Sequence, residues 1–232
     1  MPRRPDPRTA RTSRSACLPD THGGAEPRPY HHGDLRRALL DASLTIVRES
    51  GPAALTLRAA ARAAGVSQTA PYRHFADRTA LVAGVAEDGF RRLHARLVAA
   101  ATAAIPAGST ARSGLQLLAL EYLRFAVEHP AEYRIMFGEE LTAHASGSLP
   151  ASCLEARESV FALLRGGIGR LQEQRLVRTG DPRVMALSAW ALVHGLAMLT
   201  IDGQVSRAAD LTPEELATSA TELMMFGMSA GS

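Results

Sequence analysis

Gly65 is the position that most restricts what this chain can fold into. The run before it, Leu57 to Ala64, is Ala-rich and helix-favouring, with Thr56 placed as its N-cap. A glycine tolerates the left-handed backbone that ends a helix. Ser67, two residues later, is of the type that caps a new helix, here expected to run to about Phe75. Two short helices must therefore meet across a tight turn. Ala61 is small enough for a close crossing, and Val66 can plug the gap between them. At about 100° per residue, Gln68, Thr69 and Tyr72 fall on one side of the second helix, with Val66 and Ala70 on the other. This is the pattern of a helix-turn-helix with a polar outer face suited to base edges.

The flanking sequence adds helices and no strand pattern. A first helix is expected from Asp34, with Leu35, Leu39, Ala42 and Ile46 on one face, stopping at Gly51-Pro52. Asp77 is placed to cap a long helix from Arg78 towards Ala104, which Ile105-Pro106-Ala107-Gly108 ends. Further helices are expected over about Thr110–Glu128 and Pro130–Phe137, followed by a loop over 138–149. Another spans about Ala151–Val177, where Gly166, Gly167 and Gly169 predict a kink or a close helix contact. Asp181-Pro182 opens the next, Asp202-Gly203 closes it, and Thr212-Pro213-Glu214-Glu215 is a capping box for the last. The expected fold is all-α. A three-helix helix-turn-helix domain over 30–78 precedes a larger helical ligand-binding and dimerisation domain over 79–232.

Charge divides the chain in the same place. Residues 1–29, rich in Pro, Arg and Ser, carry six Arg against three acids and read as a disordered arm. Residues 30–78 carry seven Arg against four acids, whereas the rest is net acidic, so an anionic partner is expected at the N-terminal end. Cys17 and Cys153 lie far apart in sequence with no His or Cys partner at zinc spacing, so neither a disulfide framework nor a metal site is suggested, and a reducing cytoplasm fits best. The adjacent pair His31-His32 has no acid or thiol at sensible spacing, and no metal or other cofactor is expected. No run of about 18 uninterrupted apolar residues is present, and no signal core follows the basic N-terminus, so no membrane partner is expected.

The combination Thr56-Leu57-Arg58, Ala64-Gly65-Val66-Ser67, Tyr72 to Phe75 and the basic Arg78 resembles the DNA-binding domain of the tetracycline-repressor (TetR) family. Trp190 to Gly195, a Trp-x-x-x-His-Gly run, is similar to one variety of C-terminal domain in that family. The resemblance implies a homodimer on a near-palindromic double-stranded operator, and a repressor released when a small-molecule effector changes the spacing of the recognition helices. Thr56, Arg58, Ser67, Gln68, Thr69, Ala70, Pro71, Tyr72, Arg73, His74 and Arg78 are the expected DNA-binding residues. Pro71 departs from a regular helix because it cannot donate a backbone bond, a small loss if it sits near the first turn. His74 either reads DNA or packs its helix. An activator or ligand-independent regulator would carry the same domain.

Tyr122, Phe125, Met136, Phe137, Phe161, Leu164, Trp190 and His194 gather much of the aromatic and soft apolar surface outside the motif. They line an effector pocket or simply fill a core. Residues 183–201 are apolar nearly all round, so one core cannot take every face, and a second surface is implied. Leu187, Ala191 and Met198, completed by Leu216, Leu223 and Met224, are expected at a dimer interface. A helical carrier or enzyme would need convergent acids, bases or metal ligands. Gly166-Gly167-Ile168-Gly169 has no preceding strand to make it a phosphate loop, and no Gly-x-Ser-x-Gly elbow occurs, so no enzyme is expected.

Overall fold

A computed structural model describes residues 32–102, 111–143, 149–208 and 210–229. The expected arm, His31 and the Ile105–Gly108 helix stop lie outside them. Among the described residues there are ten α-helices and no strand. α1 (His32–Ser50), α2 (Leu57–Ala63) and a 3-10 turn (Ala70–Arg73) form the N-terminal part; a further 3-10 turn, Pro52–Ala54, joins α1 to α2. Then come α3 (Arg78–Thr102), α4 (Ala111–Glu128), α5 (Pro130–Phe137), α6 (Glu139–Ala143) and α7 (Ala151–Glu173). α8 (Pro182–Ile201), α9 (Gln204–Ala208) and α10 (Pro213–Met228) complete the bundle.

Local chemistry sets most boundaries. Thr56 Oγ1 accepts from Ala59 N at 3.0 Å, Asp77 Oδ1 from Ala80 N at 2.8 Å, and Asp181 Oδ1 from Arg183 N at 2.8 Å. Thr212 and Glu215 exchange both bonds of the capping box. After α2, Gly65 takes φ 68°, its N–H reaches Arg62 O, and Val66 N–H reaches Ala61 O at 3.0 Å. These paired bonds satisfy the last carbonyls of the helix and fix the turn.

Four expectations change. The segment after Gly65 is not an α-helix from Ser67: Pro71 has no N–H for the Ser67 carbonyl, which Ala70 N–H takes instead at 3.0 Å, tightening the turn to 3-10. Ser67 Oγ does not cap it but meets Thr69 Oγ1 at 3.2 Å. The expected loop after Gly138 contains α6, whose first turn holds Glu139 and Glu140, favourable at a helix N-terminus. α7 runs unbroken to Glu173, and a Cβ on Gly166, Gly167 or Gly169 would meet only Arg170 or open space, so these glycines admit no neighbouring helix.

One apolar core runs from α1 to α10 through Leu39, Leu55, Leu81, Phe90, Leu123, Tyr133 and Ala220. α3 holds the N-terminal part to the bundle. It packs on α1, where a Cβ on Gly84 would lie 3.3 Å from Leu40, on Phe75, which the same Cβ would meet at 2.8 Å, and on α4, α5 and α7. A second cluster, with Ile168, Leu171, Met185 and Met228, joins α7, α8 and α10. Cys153 is a buried free thiol, its pKa pushed up to about 11 by burial and then by nearby Glu87.

Candidate nucleic-acid interface and enclosed cavity

The outer side of the helix-turn-helix is assembled as α2 and the 3-10 turn dictate. Thr56, Arg58, Ser67, Gln68, Thr69, Tyr72 and Arg73 are exposed, and Ala70 is half-buried. Pro71 is buried beneath them, so it shapes the turn from within. His74 is half-buried with its Nε2 enclosed and without a hydrogen-bond partner, which turns that end of the ring towards the protein.

The arginines of this part divide into two sets. Arg36 pairs with Glu87 and lies 5.7 Å over the Phe75 ring, while Arg37 bonds Asp41 and Asp88. Arg78, expected on DNA, is turned inward. Its Nε donates to Leu55 O at 2.6 Å, Nη2 to Pro52 O at 2.8 Å, and both Nη atoms clasp the Glu140 carboxylate at 2.8 Å. Arg48, Arg58, Arg62 and Arg73 are exposed and without an ion pair among the described residues. Arg48 and Arg62 were not foreseen. Nothing in sequence separates an arginine that clamps carbonyls from one that faces solvent.

Inside the bundle is a cavity of about 560 Å³. Tyr122, Met136, Phe137, Phe161, Leu164, Trp190 and His194 line it, as expected of pocket residues. Phe125 does not: it is fully buried on another side of α4, with its ring 5.0 Å from that of His129. The wall also takes Phe90, Leu118, Leu141 and Val193, together with two charged residues, Arg157 and Glu158. Apolar periodicity marks such positions as buried without saying whether a neighbour or a void faces them.

Polar groups in this wall are concentrated at one point. His194 Nδ1 lies 2.6 Å from Tyr133 Oη and 3.0 Å from Tyr122 Oη. Tyr133 and the indole N–H of Trp190 each donate to Tyr122 Oη at 3.0 Å. Burial raises both phenol pKa values and lowers that of His194. At neutral pH the phenols therefore keep their protons and the imidazole is neutral, with its Nδ1 in the hydrogen-bonded group of the two phenols. Phe137 packs against this group, its ring 4.7 Å from His194 and 4.8 Å from Tyr133.

The expected dimer residues separate by burial. Leu187, Ala191 and Leu223 are exposed, Met198 and Met224 half-buried, and Leu216 buried at 5% exposure in the chain's own core. Leu216 leaves the set because α10 packs that side of itself on α4. Val184, Leu199 and Phe226 extend the exposed apolar face. By length and composition α8 is apolar enough to cross a membrane, with 28% of the window buried, although Arg183, Ser188 and His194 interrupt its apolar run.

A model of the tetR family of bacterial regulatory proteins matches residues 39–85, and one of a tetracyclin repressor-like C-terminal domain matches 115–224. A protein of unknown function from Rhodococcus sp. RHA1 is 34% identical, over 88% of this chain and 100% of that one, with a TM-score of 0.74. The chain belongs to the tetR family. It is accordingly a DNA-binding transcriptional regulator, not an enzyme. Two more distant structures share the fold of this tetR chain. A bacterial regulatory protein of the tetR family from Rhodococcus RHA1 is 17% identical over 85% of this chain and 98% of its own, with a TM-score of 0.64. The fatty acid degradation regulator FadR from Bacillus halodurans is 16% identical over 84% and 97%, with a TM-score of 0.65. No curated protein matches.

The neutral imidazole in this tetR bundle predicts a pH dependence. Because the folded pKa of His194 is depressed below its ordinary 6.5, the unfolded chain binds more protons on acidification. The contribution is complete above about 6.5 and is lost as pH falls from there through the folded pKa. Urea midpoints of wild type should fall more steeply between pH 7 and 5 than those of His194→Gln. Equal slopes would place the ring in water.

Proposed function

We propose that this regulator is a homodimeric repressor whose release from a near-palindromic operator follows binding of a small, largely apolar effector in the bundle cavity. One observation carries the reading. The continuous segment 130–143 walls the cavity with Met136, Phe137 and Leu141, and the same segment holds Glu140, the carboxylate on Arg78. Arg78 in turn holds Pro52 O and Leu55 O, the carbonyls just before α2. An effector that displaces Phe137 displaces the support of the helix-turn-helix. Affinity for DNA then falls by as much as the effector prefers the displaced arrangement.

Residues 30–78 read DNA in this proposal, and 79–232 sense the effector and dimerise. Gln68, Thr69 and Tyr72 meet bases, while Thr56, Arg58, Ser67 and Arg73, joined by Arg62, meet the backbone; Ala70 and Pro71 shape the turn. Their exposure and the absence of internal ion pairs on these arginines support the assignment. The dimer uses Val184, Leu187, Ala191 and Leu199 of α8 with Leu223 and Phe226 of α10. Phe226, 84% exposed, is the most costly of these to leave in water.

Gln68→Ala with Tyr72→Ala should remove operator preference, each lost base contact costing about 1–3 kcal/mol, while Arg73→Gln weakens all sequences alike and lowers the salt slope by about 0.9. Retardation assays against salt read both; retained preference in the double variant refutes the placement. Phe226→Asp should sediment as a monomer at micromolar concentration, and an unaffected dimer relocates the interface. Glu140→Gln should bind an effector, detected by Trp190 fluorescence, as wild type does, yet lose most of the effector's influence on operator affinity, typically worth about 1–3 kcal/mol. Undiminished influence removes α6 from the route.

A further inference from the structure

We infer that the cavity ligand is an apolar organic acid whose anionic group pairs with Arg157; the inference rests on the cavity being an effector site. Two charged residues line the wall. Glu158 already accepts from Arg165 Nη1 at 3.3 Å. Arg157, half-buried, has no hydrogen bond or ion pair among the described residues.

Among the half-buried arginines of the bundle that vacancy stands apart, whereas the arginines that share it, Arg170, Arg175, Arg178, Arg183 and Arg207, are exposed. Arg92 is paired with Glu132, Arg96 with Glu121 and Glu128, Arg124 with Glu121 and Glu214, and Arg134 with Asp202. The buried Glu87 carboxylate, on the neighbouring α3, is taken up by Ser152 and Arg91, with Arg36 beside it. The described residues therefore supply Arg157 with no carboxylate. A partly desolvated guanidinium gains most from a planar anion that accepts two parallel bonds.

The other polar contact on offer is neutral. His194 Nε2 has no hydrogen bond among the described residues, Nδ1 being held by the two phenols. Tyr122 Oη is likewise engaged, by Trp190 and Tyr133. The wall thus offers one unpaired cation and one neutral imidazole nitrogen, with no unpaired acid for an amine; the polar groups of Tyr122, Glu158 and Trp190 are engaged within the chain and the rest is apolar. About 560 Å³ suits one drug-sized molecule.

Trp190 is the chain's one tryptophan and stands in the wall, so its emission reports occupancy. The full-length protein is titrated with decanoate and with 4-phenylbutyrate, each against its own primary amide, below the micelle concentration. At least one acid should saturate the signal and bind about tenfold or more tightly than its amide. Arg157→Gln should bring that ratio near one while leaving amide affinity intact. Equal affinity of acid and amide in wild type, a preference that survives in Arg157→Gln, or no binding by any probe overturns the inference. Operator retardation run in parallel separates it from the reading beneath it. Arg157-dependent acid binding without operator release keeps the ligand class and removes the effector role. A neutral molecule that binds and releases DNA irrespective of Arg157 does the reverse.

Discussion

The Arg78 guanidinium is the joint on which the relation between the two ends of the molecule depends. It sits at the first residue of α3, where the helix dipole disfavours a cation. The clasping Glu140 carboxylate offsets that cost, and Asp77 caps the same turn. In exchange Arg78 satisfies the carbonyl of Leu55, whose side chain is fully buried and whose backbone has left the helical ladder. Moving this arginine onto a phosphate would leave that carbonyl and Glu140 without their shared donor. Its position beside the recognition turn is thus that of a support.

This division among arginines sharpens the argument from charge. Residues 30–78 are basic by count, but Arg36, Arg37 and Arg78 are neutralised by acids within the chain. What remains for an anionic partner is the exposed set Arg48, Arg58, Arg62 and Arg73, which is smaller than the total yet confined to the helix-turn-helix and the end of α1. A ligand's own charge matters by the same logic inside the bundle. There the half-buried Arg92, Arg96, Arg124 and Arg165 are paired with acids, whereas Arg157, equally half-buried, brings a charge without an ion pair among the described residues to the cavity wall.

How much of this was legible in the sequence follows the range of the interactions. Caps at Thr56, Asp77, Asp181 and Thr212 are made within three residues and were readable, as was the Gly65 turn. The 3-10 geometry at Pro71 was local too, but the loss of one donor was underweighted, and it reshaped the whole recognition turn. Arg78, Phe125 and Leu216 went astray for another reason. Their roles are set by elements tens of residues away, and a basic or apolar residue at helical spacing looks the same whichever neighbour it meets. Seven of the eight pocket residues line the void because large aromatics on converging helices leave one, whereas Phe125 falls on the filled side of the same helix.

α8 shows why composition alone misleads. Its length and apolar character fit a bilayer, yet its two faces are chemically distinct. One is built of small buried residues, Ala186, Ala189 and Ala197, that let α8 lie against α4 and α7. Between the two faces, seven residues on from Leu187, lies His194, whose Nδ1 is tied to phenols from α4 and α5, a polar cluster that the fold has satisfied from within. The opposite face carries Val184, Leu187, Ala191 and Leu199, exposed in a row that Leu223 and Phe226 continue on α10. Lipid would cover a lone spanning helix on all sides at once, but here one side is already used by a packed core. In the proposed dimer a second copy covers the remaining stripe, shared between two helices of the same chain, by presenting the same stripe in return.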